Sequence, residues 1–168
     1  MEVDIDYYVE QYGDYLYRIA YVYTKDRHAA EEVVQDVFIK LYETNQFEGK
    51  SSEKTYLTKM TINRCYDYLR KWKVKKAQLF EYFTKSVASS EQVVIEQQER
   101  DEIVEAILTL PLKYREVLLL YYYDDLSVAE IASCIHIPQS TVATRLQRAR
   151  TKLKEQLPKM EWEVLRDA

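Results

Sequence analysis

The sequence predicts an all-helical protein, and three observations support that prediction. The 168 residues include only 2 glycines and 3 prolines, the residue types that most often interrupt helices. No valine-rich run of alternating polarity lies between turn signals, as a strand would require. Apolar residues instead recur every three or four positions, which is the period of an amphipathic helix. A chain of this length forms one ordinary domain or two small ones.

Two helices are predicted before residue 45. The first is under way by about Tyr7, and its apolar face carries Tyr12, Leu16, Ile19, Ala20 and Tyr23. A polar break follows at 24–27, where Asp26 has the acceptor side chain of a helix N-cap. The second helix runs from Ala29 to Tyr42 with apolar residues at helical spacing. Its opposite face carries Glu31, Glu32, Gln35, Asp36 and Lys40.

A loop and a third helix follow. Residues 44–55 are polar and include Gly49 and two serines, a composition that predicts a loop. The third helix is predicted from about Tyr56 through Lys73. One side of it carries Leu57, Met60, Thr61, Arg64, Cys65, Tyr68 and Leu69. Its end forms a basic cluster around Trp72, made up of Arg70, Lys71, Lys73, Lys75 and Lys76.

Residues 126–153 have the pattern of a helix-turn-helix whose second helix is basic. Ser127 and Glu130 form a capping box at the start of the first helix. His136-Ile137-Pro138 breaks the pattern, and Pro138 suits the first position of a new helix. That helix has an apolar stripe at Val142, Leu146, Ala149 and Leu153 and cations at Arg145, Arg148, Arg150, Lys152 and Lys154. A short helix, a tight turn and a cationic helix place side chains in a DNA major groove.

The weaker pattern at 77–103 indicates a linker between two units. Residues 87–90 are small and polar, and residues 96–99 are polar before a new helix begins. We therefore expect a first domain at 1–76, a flexible linker at 77–103, a second domain at 104–158 and a tail at 159–168. Within the second domain, Tyr114 to Tyr123 is predicted to be a helix ahead of the helix-turn-helix.

The net charge of −4 means that the two basic clusters lie in an otherwise acidic chain. A protein that binds DNA by itself gains most of its affinity from an overall basic surface. Two local patches therefore predict weak DNA binding alone and a larger partner that supplies further contacts. Taken singly, either cluster is also compatible with an ordinary solvated helix face.

The sequence indicates neither a cofactor nor a metal, and it gives no sign of membrane insertion. Cys65 and Cys134 lie far apart, outside any CxxC or His-paired spacing, so we expect reduced, partly buried thiols. No apolar run approaches the ~20 residues of a membrane span. The acidic N-terminal residues are the opposite of the basic start of a signal peptide, which favours a cytoplasmic protein.

Three groups of segments, in this order, resemble one protein family over about residues 10–157. They are the acidic helix 29–38; the stretches 47–51, 55–57 and 67–70 with Asn63; and Leu110-Pro111 with 114–116 and 141–150. Together they resemble bacterial RNA polymerase sigma factors of the extracytoplasmic-function (ECF) type, in the sigma-70 family. The resemblance implies a helical region 2 domain at the N-terminus and a region 4 helix-turn-helix domain at the C-terminus.

For region 2, the resemblance implies a polymerase contact and a minus-10 site. Glu31, Glu32, Gln35 and Asp36 would bind the clamp helices of the beta-prime subunit, which are basic in this family. Asn63 and the polar loop would capture a base extruded from the duplex, and the basic cluster would hold phosphates. Tyr56 stands where the family usually has Trp. We expect its ring to pack in the core first and to contact the DNA strand only second. The expected minus-10 residues are Gly49, Lys50, Ser51, Tyr56, Asn63, Arg70, Lys71 and Lys73.

For region 4, the resemblance implies recognition of the minus-35 element and a contact with the beta flap. Arg148 suits guanine and Gln147 suits adenine, whereas Arg145 is expected to hold a phosphate. His136 occupies a turn position where the family often has Gly, and the family commonly has a basic residue in place of Ala143. The expected minus-35 residues are Ser140, Thr141, Ala143, Thr144, Arg145, Gln147 and Arg148.

Control by a further partner is also implied. In this family an anti-sigma factor, often membrane-anchored, holds the two units together away from DNA, and a linker of about 27 residues is long enough to permit that state. The main alternative function is an ordinary helix-turn-helix repressor or activator, which would leave the acidic helix and the 47–70 pattern without a purpose. A helical adaptor that does not bind DNA would have no reason to place cationic helices at both sites. An enzyme explains least, because the sequence has no metal spacing, phosphate loop or nucleophile motif.

Overall fold

The structure, a computed structural model, describes residues 3–45, 47, 49–83 and 102–157, with only the backbone for 76–83. All regular elements in these ranges are helical, which confirms the predicted fold class. The chain divides into two compact units, one within residues 1–98 and the other within 99–168. No helix in the described ranges has the length and apolar character needed to cross a membrane.

The first unit contains three helices, α1 (Ile5–Thr24), α2 (Arg27–Thr44) and α3 (Glu53–Phe83). Asp26 caps α2 as predicted, because its carboxylate accepts a hydrogen bond from the Ala29 N–H at 2.8 Å. Asp4 caps α1 in the same way through the Tyr7 N–H. The apolar faces of the three helices meet in one core, which contains Leu16, Ile19, Ala20, Tyr23, Ala30, Val33, Val37, Leu41, Leu57, Ile62 and Cys65.

Helix α3 is longer than the sequence analysis predicts. It begins at Glu53 rather than Tyr56, since Ser52 Oγ accepts the Thr55 N–H at 3.1 Å. It continues to Phe83 rather than ending at Lys73, because 74–83 contains good helix formers and neither Gly nor Pro. The first residues of the predicted linker, 77–83, are therefore helical, and so are its last two, 102 and 103. The rest of that linker up to Asp101, and the predicted tail at 159–168, lie outside the described residues.

The second unit contains α4 (Glu102–Thr109), α5 (Leu112–Leu118), a π-helical turn (Leu119–Tyr123), α6 (Val128–Ile135) and α7 (Gln139–Gln156). The predicted stripe of α7 is buried, with none of its side chains more than 2% exposed. The second unit also buries Leu108, Leu110, Val117, Leu118, Leu120, Ile131 and Ile135.

The predicted helix-turn-helix is present, with one shift in the turn. Both hydrogen bonds of the Ser127–Glu130 capping box are formed. His136 ends α6 in the left-handed conformation, with φ 58° and ψ 47°. Pro138 is the N-cap of α7 rather than its first helical residue, because its ψ of 148° is extended. Its carbonyl still accepts the Val142 N–H at 3.1 Å, so the first turn of α7 is closed.

Replacing His136 by Gly is expected to raise the unfolding free energy of the second unit by about 1 kcal/mol. A left-handed conformation costs an L-residue roughly 1–2 kcal/mol, and Gly avoids this cost while losing somewhat more chain entropy. Hydrogen exchange of buried amides in α6 and α7 measures the change within this unit. His136→Ala keeps the strained Cβ and is the matched control, for which no gain is expected. Equal protection in the two variants would contradict this explanation.

Candidate functional site

A polar groove lies between α5 and α7 in the second unit. Its lining consists of Lys113 and Tyr114 from α5 and Ser140, Thr141, Thr144, Arg145 and Arg148 from α7. Five of the seven expected minus-35 residues therefore line one groove. The other two, Ala143 and Gln147, are exposed on α7 outside the groove lining.

The orientation of α7 follows from its buried stripe. Because Val142, Leu146 and Ala149 face the core, the opposite side of the helix faces solvent. Arg148 is exposed on that side. The Thr144 hydroxyl donates to the Ser140 carbonyl at 2.9 Å, so part of its hydrogen-bonding capacity is used within the helix.

Arg145 occupies a different environment from Arg148. Its Nη1 lies 3.7 Å from Oε1 of Glu116, whose side chain is only 3% exposed, whereas the Arg145 side chain is 26% exposed. A buried carboxylate therefore draws this guanidinium toward α5. Sequence reasoning missed this pairing, because Glu116 and Arg145 are brought together only by the packing of α5 against α7.

Helix α5 also contributes residues that sequence reasoning did not assign to the site. The Nζ atom of Lys113 lies 5.0 Å from the centroid of the Tyr114 ring, and that of Lys152 lies 5.7 Å from the same centroid. Arg115 is buried and donates to the Leu110 carbonyl at 2.8 Å. The only sequence signal was the position of Lys113 and Tyr114 just after Pro111, at the start of a helix.

On α2, three of the four expected polymerase-binding residues are exposed. Glu31, Glu32 and Gln35 face solvent, whereas Asp36 is half-buried. Asp36 accepts hydrogen bonds from Nε and Nη2 of Arg64 on α3, at 2.9 and 2.5 Å. Asp36 thus joins two helices of the unit, an assignment that the sequence pattern did not suggest.

The solvent-facing side of α2 also carries apolar residues. Ile39 and Tyr42 are 55% and 59% exposed. They follow Gln35 by four and seven positions, so they continue the same side of the helix. Their spacing relative to Gln35 was available in the sequence, but their exposure was not.

Four of the eight expected minus-10 residues, Gly49, Lys50, Ser51 and Tyr56, lie in the loop before α3 and in its first turn. Gly49 has φ 67°, and a Cβ placed there would meet no atom within 4 Å, so its conformation rather than space favours glycine. Lys50 is exposed and Ser51 is half-buried. Tyr56 is half-buried and packs edge-to-face on Phe47 with ring centroids 5.5 Å apart, which agrees with its interpretation as core first.

Asn63 and the basic cluster lie on the exposed parts of α3. Asn63 and Arg70 are seven residues apart and therefore share one side of the helix. Arg70 forms an ion pair with Asp67 on that side, and its side chain is 73% exposed. The neighbouring side chains are all exposed, namely Lys71, Trp72, Lys73, Val74 and Lys75.

Two buried titratable side chains, those of Cys65 and Asp124, have raised pKa values. Among the described residues, no group of three or more His, Cys, Asp or Glu side chains is arranged to hold a metal ion. Burial raises the pKa of the Cys65 thiol to about 12. Burial, with a smaller contribution from Asp125, raises the pKa of Asp124 to about 7. Neither carboxylate oxygen of Asp124 has a hydrogen-bond partner among the described residues.

Comparisons with known proteins match both units. The family described as Sigma-70 region 2 matches residues 8–74, and the family described as Sigma-70, region 4 matches residues 100–153. The ECF RNA polymerase sigma factor SigW of Bacillus subtilis (strain 168) is 32% identical over 161 residues, covering 89% of this chain and 86% of that protein. The ECF RNA polymerase sigma factor SigM of the same organism is 30% identical, covering 89% and 93%.

Solved structures share the fold. The sigma factor RpoE of Bartonella quintana, in complex with the anti-sigma factor NepR, has a TM-score of 0.71 at 22% identity and covers 94% of this chain and 99% of that one. CnrH, in complex with the cytosolic domain of CnrY, has a TM-score of 0.61 at 19% identity and covers 94% and 89%. Both sigma-70 regions match in order, and the matches to SigW and SigM cover 86% and 93% of those proteins. This chain therefore belongs to the ECF RNA polymerase sigma factors of the sigma-70 family.

Proposed function

We propose that the protein binds core RNA polymerase through α2 and directs it to promoters by contacting the minus-10 element with the first unit and the minus-35 element with α7. Membership of the sigma factor family makes the chain a transcription initiation factor. The observation that best supports these two roles is the difference in charge between the helices: α2 exposes an acidic face, whereas α7 exposes a cationic one. In this proposal the protein acts in the cytoplasm, is not itself an enzyme and needs no cofactor.

The polymerase contact is proposed to centre on Glu31, Glu32 and Gln35. Exposed carboxylates complement basic clamp helices of the beta-prime subunit. Ile39 and Tyr42 supply exposed apolar area beside them, and an apolar centre with a polar rim is the usual composition of a protein interface. Because Asp36 is paired with Arg64, we assign it a supporting role in holding α2 against α3.

The minus-10 contact is proposed to combine base capture with phosphate binding. Asn63 offers both a donor and an acceptor to an extruded base, and the loop at Gly49, Lys50 and Ser51 lies before the same helix. Arg70, Lys71 and Lys73, with Lys75, would neutralise phosphates of the melted strand. Trp72 is 48% exposed among these cations, where its ring is available to stack on a base. Tyr56 supports the loop through Phe47.

The minus-35 contact is proposed to use the solvent-facing side of α7. Arg148 and Gln147 are the base-reading residues, with Ser140, Thr141 and Thr144 close to the groove. The Ala143 side chain has no hydrogen-bonding group and can offer a base only an apolar contact, so the preference at its position should be weak. Arg145 is proposed to contact a phosphate while Glu116 holds its other side.

Regulation is proposed to involve an anti-sigma factor, often membrane-anchored in this family, and region 4 is proposed to contact the beta flap of the polymerase. Two solved structures with this fold are named as complexes with an anti-sigma factor or with the cytosolic domain of a second protein. Division of this chain into two compact units is compatible with a partner that contacts both of them.

Replacing Arg148 by Ala tests the minus-35 assignment. We expect promoter affinity of the holoenzyme to fall by about 5- to 150-fold, the loss of one bidentate contact to guanine at roughly 1–3 kcal/mol. On promoters mutated one base at a time, discrimination should disappear at one minus-35 position only. Lys154→Ala, which changes an exposed cation in the last turn of α7, should leave discrimination intact. A loss that is equal on every promoter would contradict base reading by Arg148.

The experiment that tests the whole proposal compares binding with and without core polymerase. We expect specific promoter binding by the holoenzyme and weak binding by the protein alone. Specific, tight binding by the protein without polymerase would contradict the proposal and favour a repressor or activator.

A further inference from the structure

We propose that Lys113, Lys152 and the Tyr114 ring form a phosphate-binding site that anchors the DNA backbone beside α7. This site rests on the proposed function of α7 as the recognition helix. It adds a contact from α5, which lies before the helix-turn-helix in the chain.

The ammonium groups of Lys113 and Lys152 lie near the same side chain. Both approach one aromatic ring, Lys113 at 5.0 Å and Lys152 at 5.7 Å from the Tyr114 centroid. Tyr114 is only 7% exposed, so the ring is a fixed platform set in the core of the unit. A ring quadrupole attracts a cation by about 0.5–1 kcal/mol at an exposed site, but it carries no net charge. The positive charge brought together at the ring therefore remains uncompensated.

The lining of the groove carries an excess of positive charge. Lys113, Arg145 and Arg148 all line it. Of these three cations and Lys152, only Arg145 has a carboxylate of a described residue within ion-pair distance, namely that of Glu116. An anion that entered the groove would thus meet two lining cations, Lys113 and Arg148, that have no carboxylate partner in the described part of the chain. A DNA phosphate satisfies this requirement, and it accepts hydrogen bonds from both Lys and Arg.

Four polar residues lie along one edge of α7. Thr141, Arg145, Arg148 and Lys152 follow one another at i, i+4, i+7 and i+11, so they form one edge of the helix. This edge faces the groove shared with α5, and it extends for about 16 Å at 1.5 Å per residue. A helix about 10–12 Å wide fills a major groove about 12 Å wide, so its edges lie beside the two phosphate backbones. Lys113 extends the cationic edge onto α5.

Salt dependence of binding tests the site, because each lost phosphate contact reduces the slope of log affinity against log salt by about 0.9. Holoenzyme binding to a promoter is measured from low to moderate salt for Lys113→Ala and Lys152→Ala. Each variant should lower the slope by about that amount. The loss should be the same on promoters with intact and with altered minus-35 bases, since a phosphate carries no sequence information.

Arg18→Ala is the matched control. Arg18 is an exposed cation on α1 and is not among the residues that we assign to polymerase or DNA. The slope of this variant should equal that of the wild type. Hydrogen exchange of the core amides should be unchanged in each variant. A lower salt slope then reflects a lost DNA contact rather than a loss of folding.

The outcomes separate the two proposals. If wild-type holoenzyme binds promoters normally and both variants keep the wild-type slope, the phosphate site is wrong and the proposed function stands. A loss that depends on the minus-35 bases also overturns the phosphate assignment. If wild-type holoenzyme shows no promoter-specific binding, the proposed function fails and this site with it.

Discussion

Reversing the charge of Glu31 and Glu32 together is expected to lower the affinity of the protein for core RNA polymerase by about two orders of magnitude. Both side chains are exposed on α2, and the proposed partner surface is basic. Placing like charges opposite each other costs several kcal/mol, and about 2.7 kcal/mol corresponds to a hundredfold change in affinity. Competition with a labelled wild-type protein for core polymerase measures the change.

Glu10→Lys with Asp14→Lys is the matched control for this prediction. These two carboxylates are also exposed in the first unit, but they lie on α1. The control makes the same change in net charge, so it removes any effect of overall charge on association. If both double variants bind core polymerase with equal affinity, the acidic face of α2 is not the polymerase contact.

Replacing Asp124 by Asn is expected to stabilise the second unit above neutral pH. Asp124 is 6% exposed, and in the part of the chain that the structure describes neither of its carboxylate oxygens has a hydrogen-bond partner. Burial raises its pKa from 3.8 to about 7. At about 1.4 kcal/mol per pKa unit, the expected gain at pH 8 is on the order of 2–4 kcal/mol. An amide keeps the shape of the side chain and its unpaired polar atoms but never ionises.

The pH dependence of this effect has a definite sign. Between about pH 4 and pH 7 the folded protein keeps the Asp124 proton that the unfolded chain has released, because the folded pKa is the higher one. The unfolding free energy of the wild type therefore falls as pH rises through this range. The Asp124→Asn variant should lack this contribution, so the difference between the two proteins grows from near zero at pH 4 to its full value at pH 8.

Hydrogen exchange of α5 and α7 amides, corrected for intrinsic rates at each pH, measures the stability of the second unit. Asp125→Asn is the control, since Asp125 is an exposed carboxylate with φ 53°, a conformation that Asn tolerates well. It should change stability in the same direction but by much less, because Asp125 contributes only the smaller part of the pKa shift of Asp124. A parallel pH profile for wild type and Asp124→Asn would contradict a buried carboxylate at this position.

The helix-turn-helix could be predicted from the sequence because its signals are local. The capping box at Ser127, the break at His136 and the apolar spacing of α7 each act within a few residues, and the structure contains all three. The α2 cap at Asp26 was predictable for the same reason. Assignment of the two regions followed from several such segments in a fixed order.

Features that depend on packing between helices were not predictable. The pairing of Asp36 with Arg64 and that of Glu116 with Arg145 each join residues about 28 positions apart. Local patterns identify Asp36 and Arg145 as polar but do not say what they contact. The sequence analysis did not identify Asp124 as a buried carboxylate, although the structure leaves it only 6% exposed.

The tyrosines show how tertiary contacts explain a composition that local patterns do not. The hydroxyl groups of Tyr8 and Tyr12 on α1 donate to the two carboxylate oxygens of Glu53, at 3.0 and 3.3 Å. Tyr122 accepts a hydrogen bond from Nε of Arg150 at 2.8 Å. Several tyrosines therefore link helices with a ring and a hydroxyl together, a role that Phe cannot fill.

The most direct test of the central claim is transcription in vitro with purified bacterial core RNA polymerase on fragmented genomic DNA, with and without this protein. The proposed function predicts new, discrete start sites that require both polymerase and protein. Aligned DNA upstream of these starts should contain two elements, at about minus-10 and minus-35. An unchanged set of start sites, together with specific DNA binding by the protein alone, would contradict a sigma factor and identify a repressor or activator.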